Sequence, residues 1–245
     1  MVYVTSDLHG RFDCLKGLLA HVGFSREDRL YIIGDVIDRH GKGGVDILLW
    51  LLTQPNVRLL LGNHENFLLS NRFILEELRW RPYDELDLDR YPHLSAWRAN
   101  GGDLTVESLS RYTTPDERDE LVAYLLECPT LEEVTVGGRR YVLTHGGLGE
   151  FAKDKPLADY TPHELLWVRP TLETIYAPER YTVILGHTPT VVFSPAYRGR
   201  MLKSDGGWWN IDTGAALSDG RPMLLCLDTL REYYLEADGS ILTVG

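Results

Sequence analysis

Three short apolar runs open the chain: Val2 to Thr5, Arg29 to Ile33 and Val57 to Leu61. Each stops at a glycine or a polar turn, which is how strands buried on both faces read. Between them, Phe12, Leu15, Leu18, Leu19 and Val22 recur at spacings of three and four, and so do Val45, Leu48, Leu49 and Leu52. That period predicts helices, so the first third is a βαβαβ unit with parallel strands. From about 65 to 127 the pattern is helical and irregular. Leu68, Ile74 and Leu78 predict one helix; Leu121, Val122, Leu125 and Leu126 predict another. The stretch Glu76 to Arg90 mixes charges of both signs with Trp80 and Pro82. It reads as a solvated surface loop, with a loop over a functional site as the alternative. Strands resume at Leu131 to Val136 and Arg140 to Thr144, joined by Gly137-Gly138, and again at Thr182 to Leu185. The last forty residues alternate short strands with turns, including a hairpin at Asp238-Gly239. With no repeat and no linker, residues 1–245 read as one domain carrying a helical insert.

The hydrophobic fraction of 44% and charged fraction of 25% are ordinary for a globular protein and argue against disorder. The formal net charge of -11 weighs against nucleic acid as a partner, because phosphate neutralisation by Lys and Arg supplies most of that affinity. An anionic substrate would need a local source of positive charge, such as bound cations. Cys14, Cys128 and Cys226 are far apart and form no CxxC, so they read as reduced, mostly buried thiols. No secretory signal and no run long enough to span a bilayer is visible. The expectation is a cytoplasmic protein without a membrane partner.

The spacing carries the chemistry. Asp7, Asp35 and Asn63 each fall just after a strand, 28 residues apart, close to the length of about 30 residues that a βαβ unit needs. They therefore share the carboxyl edge of a parallel sheet, where open α/β sheets place ligand sites. Five motifs follow apolar strands: Asp7-Leu8-His9-Gly10, Gly34-Asp35-Val36-Ile37-Asp38-Arg39, Gly62-Asn63-His64-Glu65, His145-Gly146-Gly147 and Gly186-His187. Singly they are weak, since a lone strand-end histidine is commonly structural. Jointly they assemble Asp7, His9, Asp35, Asn63, His145 and His187, a mixed oxygen and nitrogen donor set. Such donors suit Mn, Fe, Zn or Co better than Mg or Ca, and without thiolates they do not resemble structural zinc. Six ligands exceed what one catalytic metal needs, so two divalent ions sharing a carboxylate fit them better.

In this order the motifs resemble those of the calcineurin-like metallophosphoesterases, and more fully the phosphoprotein phosphatase branch with its phage-type bacterial members. Asp38-Arg39, Gly62-Asn63-His64-Glu65 and His145-Gly146-Gly147-Leu148 are that branch's own. Asn100-Gly101-Gly102, Leu166-Trp167-Val168-Arg169, Gly186-His187-Thr188-Pro189 and Ile211-Asp212-Thr213-Gly214 agree as well. The resemblance implies an α/β fold, a central β-sandwich of mixed sheets flanked by helices, with two metals at one sandwich edge. It implies that Asp7, His9 and Asp35 hold the first metal. Asp35 would bridge to a second that Asn63, His145 and His187 also hold. Mn2+ is the expected ion, with Fe or Zn as alternatives. His64 would protonate the leaving group, Asp38 would orient His64, and Arg39 and Arg169 would grip the phosphate. One departure is His40, where the family has glycine; it either crowds the phosphate pocket or is a tolerated turn residue. His21, His93 and His163 match no ligand. Trp208-Trp209 reads as one ring in the core and one at the surface.

The resulting expectation is a phosphomonoesterase acting on phosphoserine and phosphothreonine in phosphoprotein or phosphopeptide substrates. The alternative is a symmetrical dinucleoside-polyphosphate hydrolase, which shares nearly all five motifs but usually carries alanine where Gly146 stands. A lesser alternative is a metal-dead scaffold that keeps the fold; every expected ligand being present argues against it. Asp38-Arg39 and His64 argue against a nuclease or cyclic-nucleotide phosphodiesterase.

Overall fold

A computed structural model describes all 245 residues. In chain order, β1 (Val2–Thr5), α1 (Phe12–His21), β2 (Arg29–Ile33), α2 (Val45–Leu51) and β3 (Val57–Leu60) form the expected βαβαβ unit. β1 pairs β2 in parallel and β2 pairs β3 in parallel. A helical segment follows: α3 (Asn63–Ser70), α4 (Phe73–Trp80), α5 (Ser95–Ala99), α6 (Gly102–Tyr112) and α7 (Pro115–Glu127). Then come β4 (Leu131–Val136), β5 (Arg139–Thr144), α8 (Pro162–Leu166), β6 (Thr182–Leu185), β7 (Leu202–Ser204), β8 (Trp208–Asn210), β9 (Met223–Cys226), β10 (Glu232–Leu235) and β11 (Ile241–Val244).

The strands make two mixed sheets, one in the order β11-β10-β9-β1-β2-β3 and one in the order β4-β5-β6-β8-β7. They pack face to face because their side chains alternate. On β2, Tyr31 and Ile33 join Val4, Leu60, Tyr141, Leu143 and Ile184 in the core between the sheets. Leu30 and Ile32 face the other way, into a second core with Leu15 and Leu18 of α1, Leu48 of α2 and Trp97, Leu109 and Leu121 of the helical segment. Val142, Val183 and Leu185 face outward from the second sheet against Leu165, Tyr176 and Trp208. Each central strand is thus buried on both sides, which is why it reads as an unbroken apolar run.

Most predicted elements are present, including the Gly137-Gly138 hairpin between β4 and β5 and the Asp238-Gly239 turn between β10 and β11. The helical segment differs in detail. The single helix expected over Leu68, Ile74 and Leu78 is two, α3 and α4, broken between Ser70 and Phe73. The stretch from Glu76 is the end of α4 as far as Trp80, followed by two short 3-10 turns, and Leu88 there is buried. Trp208 is fully buried and Trp209 half-buried, as read. His21 ends α1, and it, His93 and His163 are exposed. No helix is long and apolar enough to cross a membrane.

Candidate metal centre and active site

β1, β2, β3, β5 and β6 all point their carboxyl ends at one edge of the sandwich, and their following turns deliver Asp7, Asp35, Asn63, His145 and His187 there. The turns are strained. Six of the eight non-glycine residues with positive φ lie in them: Asp7, His9, Asp35, Asp38, Arg39 and His187. Each costs roughly 1–3 kcal/mol and persists only where the surrounding structure over-determines it.

Asp35 is the hub. His9 Nε2 and His64 Nε2 each lie 3.7 Å from its Oδ2, and His145 Nε2 lies 3.3 Å from its Oδ1. The donor atoms of His9, Asp35 and His64 all fall within 4.8 Å of one another, and those of Asp35, His145 and His187 do the same. Two groups sharing one carboxylate is the arrangement expected of a dinuclear centre. Asn63 Oδ1 sits 2.9 Å from His145 Nε2 and so joins the second group. Asp7 lies beside rather than within these groups. Its carboxylate accepts from the His187 backbone N–H at 3.1 Å and from the Ser6 hydroxyl.

The histidines divide by what holds the other ring nitrogen. His9 Nδ1 meets the Ile37 carbonyl at 3.0 Å and His145 Nδ1 meets the Ile33 carbonyl at 2.9 Å. A carbonyl only accepts, so Nδ1 carries the hydrogen and Nε2 is aimed at Asp35, as in most metal-ligating histidines. His187 Nε2 is buried with no hydrogen-bond partner, an orphan that a cation would satisfy. His64 Nδ1 instead meets a carboxylate, Asp38 Oδ2, at 2.5 Å. Burial opposes a charge on the His64 ring, but Asp35 and the Asp38 hydrogen bond outweigh it and raise its pKa.

The electrostatics fit bound cations. Asp7, Asp35, Glu65 and Asp212 are all essentially inaccessible to solvent. Burial pushes Asp7 up to about 7, the Asp35 charge adding to it and His145 opposing it, and burial with the Asp7 charge lifts Asp212 well above the carboxylate range. Burial pushes Asp35 up too, but His145 and His64 outweigh it and hold it well below its ordinary value. Burial lowers His9 to about 3 and His187 to about 2, so both rings are neutral and able to ligate. His145 goes the other way: burial is outweighed by Asp35 and its pKa rises to about 10. A proton on His145 partly offsets the carboxylates, and the ring would have to release it to ligate a metal ion.

Two arginines flank the row. Arg39 Nη2 lies 3.4 Å from His64 Nε2, and Arg169 Nη1 donates to the His187 carbonyl at 2.9 Å and to Thr188 Oγ1 at 2.6 Å. Both side chains reach solvent. His40 faces away: its Nε2 meets the Ala216 carbonyl at 3.0 Å, beside Arg11, whose Nε donates to Ala215 O and Nη2 to Leu217 O. It therefore braces the 215–218 loop, and of the two readings the turn residue is the one the contacts support.

Glu65 and Asp212 had no role in the sequence reading. Glu65 is the third residue of α3 and accepts from the backbone N–H of Gly62 and Asp35 at 2.8 Å and of Val36 at 2.9 Å. It knots the turns after β2 and β3 together. Its capping position at the start of a helix was the available signal. Asp212 follows β8 and caps its own turn at Gly214 N at 2.9 Å.

The chain belongs to the calcineurin-like phosphoesterase family, whose model matches residues 1–213. Curated relatives carry the name symmetrical bis(5'-nucleosyl)-tetraphosphatase. That of Serratia proteamaculans (strain 568) is 44% identical over 70 residues, 28% of this chain and 24% of its own. That of Acidovorax sp. (strain JS42) is 24% identical over 203 residues, 81% of this chain and 60% of its own. This chain thus spans less than two thirds of either relative's length. Among solved structures, a candidate diadenosine tetraphosphatase aligns over 99% of this chain and 92% of its own, with TM-score 0.60 and 18% identity. The cold-active protein-tyrosine phosphatase of a psychrophilic Shewanella sp. aligns over 100% and 80%, with TM-score 0.53 and 18% identity. Both establish the fold.

These relatives overturn the expectation of a serine/threonine protein phosphatase with phosphoprotein substrates. The residue that had favoured it, Gly146, has a local cause. A Cβ there would lie 2.9 Å from the Leu166 carbonyl carbon and the Val168 carbonyl oxygen. The backbone just after α8 presses on this turn, so glycine here reports packing and not substrate class.

Replacing Glu65 tests the knot. Glu65→Ala leaves at least three buried N–H groups unpaired, and at ~1–3 kcal/mol for each such group the loss of unfolding free energy should exceed about 3 kcal/mol. Metal affinity should fall with it. Denaturant unfolding within about 1 kcal/mol of the parent protein would show that the turns hold without it.

Proposed function

We propose that this protein is a metal-dependent hydrolase that splits dinucleoside tetraphosphates symmetrically into two nucleoside diphosphates. The observation that carries the reading is the similarity to a symmetrical tetraphosphatase over 81% of the chain. The site geometry supports it.

In this reading Asp7, His9 and Asp35 hold one divalent ion, and Asp35, Asn63, His145 and His187 hold the other. The mixed donors suit Mn2+, with Fe or Zn as alternatives. When bound, such ions neutralise phosphate charge and lower the pKa of water. The rest is the work of the chain's own side chains. Arg39 beside His64 and Arg169 beside His187 place a cation at either end of the donor row. Two guanidinium groups beside the donor row suit a string of phosphates, since each fork binds a phosphate bidentately. Water adds to one central phosphorus, the bond to the central bridging oxygen breaks, and that oxygen leaves on a nucleoside diphosphate. His64, held through Nδ1 by Asp38, donates its proton to the leaving oxygen. A diphosphate oxygen is a far weaker base than an alkoxide, so on this substrate the arginines carry more of the catalysis and His64 less.

Three measurements test the reading. With Mn2+ supplied, diadenosine tetraphosphate should give ADP as the only nucleotide product. Its kcat/KM should exceed that of a phosphothreonine peptide by about a hundredfold, equivalent to ~2.7 kcal/mol of transition-state binding. ATP and AMP among the products, or the peptide winning, would sink it. Asp35→Asn should lose at least one metal equivalent and nearly all turnover; metal analysis finding two ions and normal rates would remove the bridging assignment. Arg39→Ala should raise KM and lower kcat together, because the guanidinium meets charge present in both ground and transition states; an unchanged KM would take Arg39 out of substrate binding.

A further inference from the structure

Beyond α3, whose first residues Asn63 and His64 belong to the active site, the helical segment between β3 and β4 meets that site around the turn joining α5 to α6. Trp97 of α5 is fully buried, and its Nε1 donates to Asp38 Oδ2 at 2.8 Å. That oxygen is the one that also accepts from His64 Nδ1. Thr105 of α6 donates through Oγ1 to the other carboxylate oxygen, Asp38 Oδ1, and accepts from the Asp38 backbone N–H at 3.1 Å. Between them, Asn100 Oδ1 accepts from Arg39 Nη2 at 3.4 Å, while Asn100 Nδ2 is anchored on the Ala96 carbonyl at 2.8 Å. The turn leaves no slack. A Cβ on Gly102 would lie 2.6 Å from the Trp97 indole, so only glycine lets α6 start against that ring.

Asp38 itself is fully buried and sits at φ 72°. A buried carboxylate on a strained backbone keeps one orientation only if its oxygens are held. Here the holding groups besides His64 are an indole N–H and a hydroxyl, neither of which carries charge. They fix the plane of the carboxylate without competing with the imidazole for its charge. An arginine or lysine in either place would have drawn Asp38 away from His64.

We infer that Trp97 and Thr105 are positioning residues for the His64–Asp38 pair, and that the α5–α6 turn is part of the proton-donating machinery. The inference rests on the reading that His64 donates the proton. Both side chains are fully buried and hydrogen-bonded to Asp38, so each acts through that carboxylate.

Two measurements on the full-length chain test it. In the metal-free protein, the proton shared between His64 Nδ1 and Asp38 should give a far-downfield NMR signal that His64→Asn abolishes. Trp97→Phe and Thr105→Val should each move that signal upfield or broaden it, and Thr105→Ser, which keeps the hydroxyl, should restore it. With Mn2+ bound, aryl phosphates of graded leaving-group acidity report the proton transfer. Trp97→Phe and Thr105→Val should lose about tenfold on the poorest leaving group and little on the best, a part of the ~10²–10⁴-fold that such proton transfer supplies. In a His64→Asn background they should add nothing further. A downfield signal at its parental position in both variants overturns the inference whatever their activity, and so does a uniform loss across the aryl series. If His64→Asn itself leaves the leaving-group dependence unchanged, the general-acid role fails, while the NMR signal still decides whether Trp97 and Thr105 position the pair. Thr105→Val is close to isosteric and serves if Trp97→Phe does not fold.

Discussion

Burying the Asp35 carboxylate is the constraint around which the rest of this molecule is arranged. An isolated buried carboxylate costs several kcal/mol even after relaxation, and here Asp7, Asp212 and Glu65 are buried beside it. What offsets the penalty is local and directional. The N-terminus of α3 points at Asp35, and the His64 backbone N–H reaches its Oδ1 at 3.0 Å. Three imidazoles surround it. In the protein alone protons meet much of this cost, with Asp7 and Asp212 raised towards their neutral forms and His145 raised to about 10, while His9 and His187 are held neutral by burial. A pair of divalent ions is the simplest chemical completion of such a site, and His187 Nε2, buried with no hydrogen-bond partner, is a donor that one of them would use.

The strain in the turns follows from the same constraint. Donor atoms from five strand ends converge only if the backbone bends sharply as each strand stops, which places aspartate and histidine in left-handed conformations that cost energy. The rigidity comes from the sandwich. Each central strand is locked by core on both faces, so its last residue has little freedom and the turn beyond it is aimed. Glu65 then ties the β2 and β3 turns to each other through backbone N–H groups, converting two strained loops into one unit.

Much of this was legible in the sequence because it is periodic or local. Strand, helix and turn recur at a spacing of 28 residues, so the convergence of Asp7, Asp35 and Asn63 could be read without coordinates. All six proposed ligands lie together, although Asp7 stands slightly apart. The partners of Asp38 were not legible. Trp97 and Thr105 are 59 and 67 residues away along the chain, in a segment whose periodicity shows that it is helical but not where it lands. Its motif Asn100-Gly101-Gly102 was visible as a resemblance only, because the reason for Gly102 is the Trp97 ring, a tertiary contact. Gly146 misled for the same reason: a residue weighed as a mark of substrate class is dictated by the backbone pressing on it.

Charge raises the same distinction between the whole and the site. The net charge of -11 argued against an extended polyanion when averaged over the surface. Fields at a binding site are set by what lies within a Debye length, about 8–10 Å at physiological salt. Within that range the site has Arg39 and Arg169 at its rim and a donor set that calls for divalent cations. Under the proposed function, the acidic exterior would act as a filter. A net charge of -11 would slow the approach of large anions such as nucleic acid, whose charge faces the whole surface. A short phosphate chain exposes all of its charge to the site and little to the surface, so it gains the local attraction with a smaller share of the repulsion. For the proposed substrate, this contrast between a site made cationic by its ions and arginines and an anionic surround would favour a compact polyphosphate over a long one.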